Sequence, residues 1–201
     1  MTLVLDFESR APVVYAGRNG TRPVAIGQEQ PGDFYARERL LDEAFGTARF
    51  DKTVERLRAG RKPAEDLSFA SKDSCGLIGT LRLWHIRAGG VPALLLGPLA
   101  VAKACRSQGI GRRLMETALR KAEDLGHQAI LLVGDPAYYE PFGFSRSHTL
   151  GLSLPGPLDE RRFLGLELKC GSLQAAQGFV IAVGARDVPP YRAAFEVRRA
   201  A

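Results

Sequence analysis

The segment from residue 93 to residue 125 constrains the fold more than any other part of the chain. Residues 93–102 are almost continuously apolar, which is typical of a strand covered on both faces. A basic loop over 103–108 follows, and a helix that ends at Gly126 is predicted after it. The apolar residues of this helix recur every three or four positions along one stripe: Ile110, Leu114, Ala118, Ala122 and Leu125.

The loop between this strand and this helix has the features of an anion-binding site. Gly109 and Gly111 allow backbone N–H groups to approach a ligand closely, and the first N–H groups of a helix have no partners within it. The positive end of the helix dipole also favours phosphate groups. Four cationic side chains lie around these glycines in the sequence: Lys103, Arg106, Arg112 and Arg113.

Two common phosphate-binding motifs do not fit this loop. A dinucleotide-binding fingerprint needs a third glycine at the position of Leu114. A P-loop needs Gly-Lys followed by Ser or Thr, whereas the chain has Gly111, Arg112 and Arg113. The loop therefore belongs to another class of phosphate site.

The rest of the chain predicts an α+β arrangement of short strands and helices. Asp33 is the expected N-cap of the first helix, and Asp51 is the expected N-cap of a second helix that ends at Gly60. Residues 1–21 show no regular pattern. The predicted strands cover 24–26, 67–70, 77–87, 129–133, 163–168 and 179–183, and the other predicted helices cover 34–45 and 136–142.

Composition excludes several classes of protein. With 201 residues and 45% hydrophobic content the chain can bury a sizeable core, so disorder is not expected. The longest apolar stretch, 91–102, is far shorter than the roughly 20 residues of a membrane-spanning helix. The net charge of +6 favours an anionic ligand. Three widely spaced cysteines and three isolated histidines predict no disulfide framework, no metal site and a cytoplasmic location.

Three matches in the right order resemble the GNAT superfamily of N-acetyltransferases. Arg106, Gly109 and Gly111 form the Arg-x-x-Gly-x-Gly pattern of that family's acetyl-CoA pyrophosphate loop. Upstream, 97–101 resembles the family's fourth strand, where the pair Gly97-Pro98 predicts a break in regular pairing. Downstream, 139–144 resembles the Tyr-x-x-x-Gly-Phe signature.

The resemblance implies a fold and a domain organisation. The fold is α+β with α/β/α layers and a mixed, mostly antiparallel sheet with splayed central strands. Residues 1–21 are expected to form an N-terminal extension and 22–150 the N-acetyltransferase core. Residues 151–201 are expected to add C-terminal strands and a tail packed on the same domain.

The resemblance also implies an activity: transfer of an acetyl group from acetyl-CoA to a primary amine by direct attack in a ternary complex. Tyr139 is the implied general acid, and a backbone N–H at Leu99 or Ala100 is the implied oxyanion donor. Leu132 occupies the position where many members carry an asparagine, with Asp135 nearby. The implied contacts with acetyl-CoA are made by Leu99, Ala100, Val101, Arg106, Ser107, Gln108, Gly109, Ile110, Gly111 and Arg112.

Several points stay open at this stage. The acceptor amine is not identified, and Tyr139 has an alternative role as packing beside Phe142 and Phe144. The alternative functions are a catalytically silent CoA-binding regulator and a small basic nucleic-acid-binding domain. The expected partners are acetyl-CoA and an amine, without nucleic acid or membrane, and the chain is expected to be a monomer or a homodimer. The candidate general bases are Glu38, Asp42, Glu43, His85, His148 and Glu167.

Overall fold

The computed structural model describes residues 12–15 and 23–187. The α-helices of these residues are α1 (Phe34–Phe45), α2 (Glu55–Arg58), α3 (Ile110–Asp124) and α4 (Pro136–Tyr139). The strands are β1 (Val13–Tyr15), β2 (Val24–Gln28), β3 (Ser68–Asp73), β4 (Gly76–Ala88), β5 (Val91–Val101), β6 (Ala129–Val133), β7 (Leu152–Ser153), β8 (Phe163–Glu167) and β9 (Gly178–Ala182).

The chain divides into two compact units, and β4 and β5 each supply residues to both. The first unit comprises residues 1–49, 65–83 and 96–126. Within it, β1 pairs with β2, β2 with β3 and β3 with β4, and all three pairs are antiparallel. The register between β3 and β4 shifts between Ser71 and Lys72.

The second unit comprises residues 50–64, 84–95 and 127–201. Here β4 pairs antiparallel with β9, β6 pairs antiparallel with β8 over five positions, and β7 pairs parallel with β9. The parallel pairing of β5 with β6 covers two positions, Leu94 opposite Ile130 and Leu95 opposite Leu131. The predicted mixed, mostly antiparallel sheet is confirmed.

The first two helices differ in part from the prediction. Asp33 does stand at the N-cap position of α1, but its carboxylate accepts a hydrogen bond from the backbone N–H of Gln30 at 2.8 Å instead of capping the helix. It also pairs with Lys72 at 2.6 Å. The predicted helix from Asp51 to Gly60 is wrong in extent, because only Glu55–Arg58 is α-helical and the bonds before it are of the 3-10 type.

The stripe predicted for α3 is largely confirmed. Ile110, Leu114, Ala118 and Ala122 are all buried, as an amphipathic helix requires. The prediction that Leu125 belongs to the stripe is wrong, because this residue follows the last helical residue and is 43% exposed. Met115, which the pattern did not include, is fully buried. Two adjacent positions, 114 and 115, thus point into the core.

The predicted terminal segments are described only in part. Of the predicted extension 1–21, the structure describes residues 12–15, which contain β1. Of the predicted segment 151–201, it describes 151–187, and residues 188–201 lie outside. Within the second unit, the Thr53 hydroxyl donates to the Pro157 carbonyl at 2.5 Å, and the Lys62 N–H donates to the Ala185 carbonyl at 2.8 Å.

Candidate active site

The loop between β5 and α3 is shaped by two residues with positive φ. The backbone N–H of Ala102 donates to the Ile78 carbonyl at 2.8 Å, and a 3-10 turn over Lys103–Cys105 then takes the chain away from the strand. Ser107 has φ +62° and Gly109, the N-cap of α3, has φ +78°. A non-glycine residue at positive φ is uncommon, so the conformation of Ser107 marks this loop as specially shaped.

The N-terminus of α3 is arranged as an anion cradle. The first helical hydrogen bond runs from the Arg113 N–H to the Gly109 carbonyl at 3.0 Å, so the amides of Ile110 and Gly111 have no acceptor within the helix. No atom lies within 4 Å of where a β-carbon of Gly109 would stand, which leaves open space beside the cap. These features suit a phosphate group.

The basic side chains of the loop differ in the groups that they contact. The Arg106 Nε donates to the Val101 carbonyl at 3.2 Å, which holds the loop against the end of β5. Arg112 is 62% exposed and pairs with Glu116 at 3.6 Å, so its guanidinium is accessible to a ligand. The Arg113 guanidinium lies 4.5 Å from the centre of the Tyr15 ring, an arrangement that stabilises it as a cation–π pair.

The residues at the end of β5 alternate between half-buried and buried. Ala100 is 4% exposed and belongs to a core cluster with Leu40 and Leu41 of α1, whereas Leu99 and Val101 are half-buried. Gly97 has φ +120°, a conformation that residues with a side chain rarely adopt. The strand therefore changes its backbone course immediately before the predicted ligand-binding positions 99–101.

Tyr139 ends α4 in an apolar setting. Its ring makes edge contacts with Tyr138 and Phe144, at centroid distances of 4.9 and 5.9 Å. Burial raises the pKa of the Tyr139 phenol well above its usual range, the neighbouring Tyr138 adds to this, and Arg162 partly offsets it. The phenol therefore keeps its proton at neutral pH. Asp135 caps α4 by accepting from the Ala137 N–H at 3.2 Å.

The candidate bases on α1 are committed to ion pairs. Partial burial tends to raise the pKa of Glu38, but hydrogen bonds from Arg49 and Arg37 outweigh it and lower that pKa below 4.5. Asp42 also accepts from Arg49, at 2.9 Å, and the side chain of Glu43 is 65% exposed. A carboxylate with a lowered pKa is a poor proton acceptor at neutral pH, so Glu38 is unsuited to the role of base.

The candidate bases of the second unit lie in two separate pairs. The ring of His85 lies 5.5 Å from that of His127, whose pKa is lowered by burial and then by His85. The His148 Nδ1 lies 4.0 Å from a carboxylate oxygen of Glu167. Backbone N–H groups, that of Leu173 first, lower the pKa of Glu167. Glu167, with its lowered pKa, is therefore unsuited to the role of a general base.

The first unit contains a buried ionic cluster that no sequence pattern predicts. The Glu29 carboxylate, 5% exposed, accepts from both Arg37 and Arg82, and Arg37 is 4% exposed. The partners stand 8 and 53 residues from Glu29, so no local spacing pattern announces the cluster. Its full pairing stabilises charges that would be costly to bury alone. It joins the residue that follows β2 to α1 and β4 in the first unit.

The predicted site residues fall in both units. Residues 99–112 lie in the first unit and Tyr139 lies in the second. In the described parts of the chain, no helix is long and apolar enough to cross a membrane, and no three His, Cys, Asp or Glu side chains are grouped so that they can hold a metal ion. None of the three cysteines forms a disulfide bond.

Comparison with known proteins identifies the class to which this fold and loop belong. A profile of the acetyltransferase (GNAT) family matches residues 33–144. The chain is 33% identical over 157 residues to YhbS of Escherichia coli (strain K12), named an uncharacterized N-acetyltransferase; the match covers 77% of this chain and 93% of YhbS. The chain therefore belongs to the acetyltransferase (GNAT) family and is an acyltransferase of the N-acetyltransferase type.

Solved structures agree with this assignment. The crystal structure of Escherichia coli YhbS in complex with CoA superimposes with a TM-score of 0.68 at 28% identity, covering 84% of this chain and 94% of YhbS. A GNAT family acetyltransferase from Brucella melitensis, in complex with acetyl-CoA, gives a TM-score of 0.61 at 23% identity, covering 80% and 96% of the two chains. The second likeness shows the shared fold, and the predicted GNAT fold is confirmed.

Proposed function

We propose that this chain transfers the acetyl group of acetyl-CoA to a primary amine by direct attack in a ternary complex. The observation that carries the proposal is the loop before α3, where Ser107 and Gly109 at positive φ meet helix-end amides without helical partners. Such a cradle suits the diphosphate of acetyl-CoA. The relationship to YhbS, which was crystallised with CoA, supports this choice of ligand.

We assign the cofactor contacts to two stretches of chain. The loop residues Arg106 to Arg112 hold the diphosphate through backbone N–H groups and guanidinium charges. The backbone of Leu99, Ala100 and Val101 bonds to the pantetheine arm, because buried amides of an extended ligand need partners. The backbone N–H of Leu99 also stabilises the oxyanion that forms on the thioester carbonyl, a contribution that is typically worth ~3 kcal/mol.

Tyr139 is the proposed general acid. Its phenol is protonated at neutral pH, as a phenol is in water, and burial raises its pKa further. It donates a hydrogen bond and then its proton to the sulfur as the carbon–sulfur bond breaks, and the strongly basic phenolate so formed regains a proton from solvent; the thiol has a pKa of ~8.5 in water. The attacking amine must be neutral, and only about one alkyl amine in two thousand is neutral at pH 7. A water chain is the proposed path for the amine proton.

The proposal extends to the setting of the reaction. We place the core of the enzyme in residues 22–150, with 151–201 packed on the same domain as a C-terminal addition. The hydrogen bonds of Thr53 and Lys62 to residues 157 and 185 support that packing. Widely spaced cysteines without disulfide bonds suit a reducing compartment, and we propose the cytoplasm. The proposed partners are acetyl-CoA and an amine, without nucleic acid or membrane, and a monomer or homodimer suffices.

Ligand binding and turnover test this function separately. Acetyl-CoA at a hundredfold over its Kd should add ~2.7 kcal/mol to the free energy of unfolding, seen as a rise in Tm. Gly111→Trp should abolish the rise, whereas Gly32→Trp, at a position with no atom within 4 Å of a β-carbon, should keep it. A rise that persists in Gly111→Trp contradicts the loop assignment.

A thiol-release assay with acetyl-CoA and a panel of amines then measures transfer. The panel should include small amines, amino acids, peptide N-termini and lysine side chains. Release of free CoA that depends on one class of amine identifies the acceptor. Binding of acetyl-CoA without release for any amine contradicts the enzymatic proposal and indicates a CoA-binding regulator.

A further inference from the structure

Gly134, directly after β6, is glycine because the Tyr139 ring occupies the place of a side chain. A β-carbon built on Gly134 would lie 2.1 Å from Cε2 and 2.7 Å from Cδ2 of Tyr139. The φ of Gly134 lies outside the left-handed region, so the backbone conformation does not demand glycine there. The requirement is therefore one of space, and the three atoms nearest to the built β-carbon all belong to Tyr139.

Arg162 holds the backbone of Gly134 by two hydrogen bonds in opposite directions. The Gly134 N–H donates to the Arg162 carbonyl at 2.9 Å, and the Arg162 Nε donates to the Gly134 carbonyl at 3.4 Å. The first bond continues the pairing of β6 with β8 by one position past Val133 and Phe163, and the second adds a side-chain contact at the same place. The surface on which the Tyr139 ring rests is thereby fixed to β8.

The other sides of Tyr139 are also defined. Phe144, which is 2% exposed, meets the ring edge-on at 5.9 Å, and Tyr138 meets it at 4.9 Å. The Tyr139 N–H donates to the Asp135 carbonyl at 3.3 Å, which anchors the main chain. The side chain is thus packed between two aromatic rings and the bare backbone of Gly134.

We propose that Gly134 and Arg162 are positioning residues for the hydroxyl of Tyr139. Gly134 supplies the space for the ring and Arg162 fixes the backbone that bounds this space. Arg162 also bears on the charge of the phenol, because its cation lowers the pKa that burial raises. This inference rests on the proposed role of Tyr139 as general acid.

The decisive test compares Gly134→Ala with Tyr139→Phe and with the double variant. Gly134→Ala should lower kcat by ~10-fold or more, with KM for acetyl-CoA changed less than about 2-fold, because general acid catalysis typically contributes 10²–10⁴. The double variant should be no slower than Tyr139→Phe, since a displaced ring matters only through its hydroxyl. A crystal structure of Gly134→Ala should show the ring displaced.

Two controls separate positioning from general loss of stability. At Gly151 a β-carbon would lie 3.0 Å from the Ala176 carbonyl, so Gly151→Ala should lower Tm and leave kcat unchanged.

Arg162→Gln should lower kcat by about 3- to 10-fold and show no further loss in combination with Tyr139→Phe. Arg161→Gln, at a neighbouring exposed arginine, should match the wild type. Arg162→Gln also keeps the test available where Gly134→Ala does not fold.

The outcomes distinguish this inference from the proposed function. Wild-type kcat in Gly134→Ala and Arg162→Gln, alongside a slow Tyr139→Phe, overturns the positioning role and leaves the acid role intact. Losses that multiply in the double variants also overturn it. A Tyr139→Phe chain as fast as the wild type overturns the acid role itself, and the positioning role with it.

Discussion

Tyr139 shows how burial sets the chemistry of one side chain. In water a phenol already holds its proton at pH 7, and burial against Tyr138 and Phe144 raises the pKa of Tyr139 further. The group therefore stays protonated throughout the working range of pH and can donate a hydrogen bond, while its raised pKa makes it a weaker acid than a phenol in water.

Replacement of Tyr139 by Phe should lower kcat by roughly 100-fold while acetyl-CoA affinity stays within about 2-fold, because the hydroxyl acts when the carbon–sulfur bond breaks. Steady-state kinetics with thiol detection measures both quantities. Tyr138→Phe, at a ring that is 40% exposed, is the matched control and should keep the wild-type rate. Equal rates for the two variants would remove Tyr139 from the mechanism.

Glu38 gives a prediction for acid stability. Its pKa in the folded state is lowered below 4.5 by Arg49 and Arg37 against the opposing effect of burial. The stabilisation is therefore present above pH 4.5 and is lost as the pH falls through the folded-state value. Urea unfolding between pH 6 and pH 3 should show Glu38→Gln less stable at pH 6, with the gap closing in acid.

Glu43→Gln is the control for this measurement, because the Glu43 side chain is 65% exposed and contributes little. It should follow the wild type throughout. A gap between Glu38→Gln and the wild type that persists unchanged at pH 3 would show that the ion pairs with Arg37 and Arg49 are not its source.

Helix α3 connects the packing of the first unit with the proposed anion site. Leu114 is fully buried, and its Cδ1 would lie 3.1 Å from a β-carbon built on Gly79 of β4, so helix and strand are closely packed. This contact is on the same helix as the cradle amides of Ile110 and Gly111. The position of these amides therefore depends on how α3 packs against β4.

Leu114→Ala should lower the free energy of unfolding by ~3 kcal/mol, because a buried leucine leaves a cavity that the surroundings fill only in part. Leu125→Ala, at a position that is 43% exposed, should cost less than about 0.5 kcal/mol. Chemical denaturation measures both. Equal losses in the free energy of unfolding at the two positions would contradict an orientation of α3 that buries Leu114 and exposes Leu125.

The charge of the whole molecule bears on the encounter with acetyl-CoA. The net charge of +6 attracts the negatively charged phosphates of acetyl-CoA, and this attraction weakens as salt screens it. KM for acetyl-CoA should rise at least roughly 3-fold between 0.05 and 0.5 M NaCl, with kcat nearly constant. A KM that does not depend on salt would limit the role of charge to the immediate contacts of the loop.

The parts of the structure that sequence predicted well are those that depend on neighbouring residues. The apolar stripe of α3 and the glycine at its N-terminus are local properties, since helical periodicity and backbone freedom act over a few positions. The single turn of α2 was overestimated because its 3-10 start carries no separate sequence signal. The ion pairs of Glu29 were not predictable, because Arg82 stands 53 residues away.

Local chemistry thus determined the strand, the loop and the helix on which the proposed anion cradle lies, and with them the family of the protein. Tertiary structure decided which groups have altered chemistry: the phenol of Tyr139, the carboxylate of Glu38 and the ring space above Gly134. The physical reason is that burial and charge pairing depend on residues far apart along the chain, and only folding brings these together.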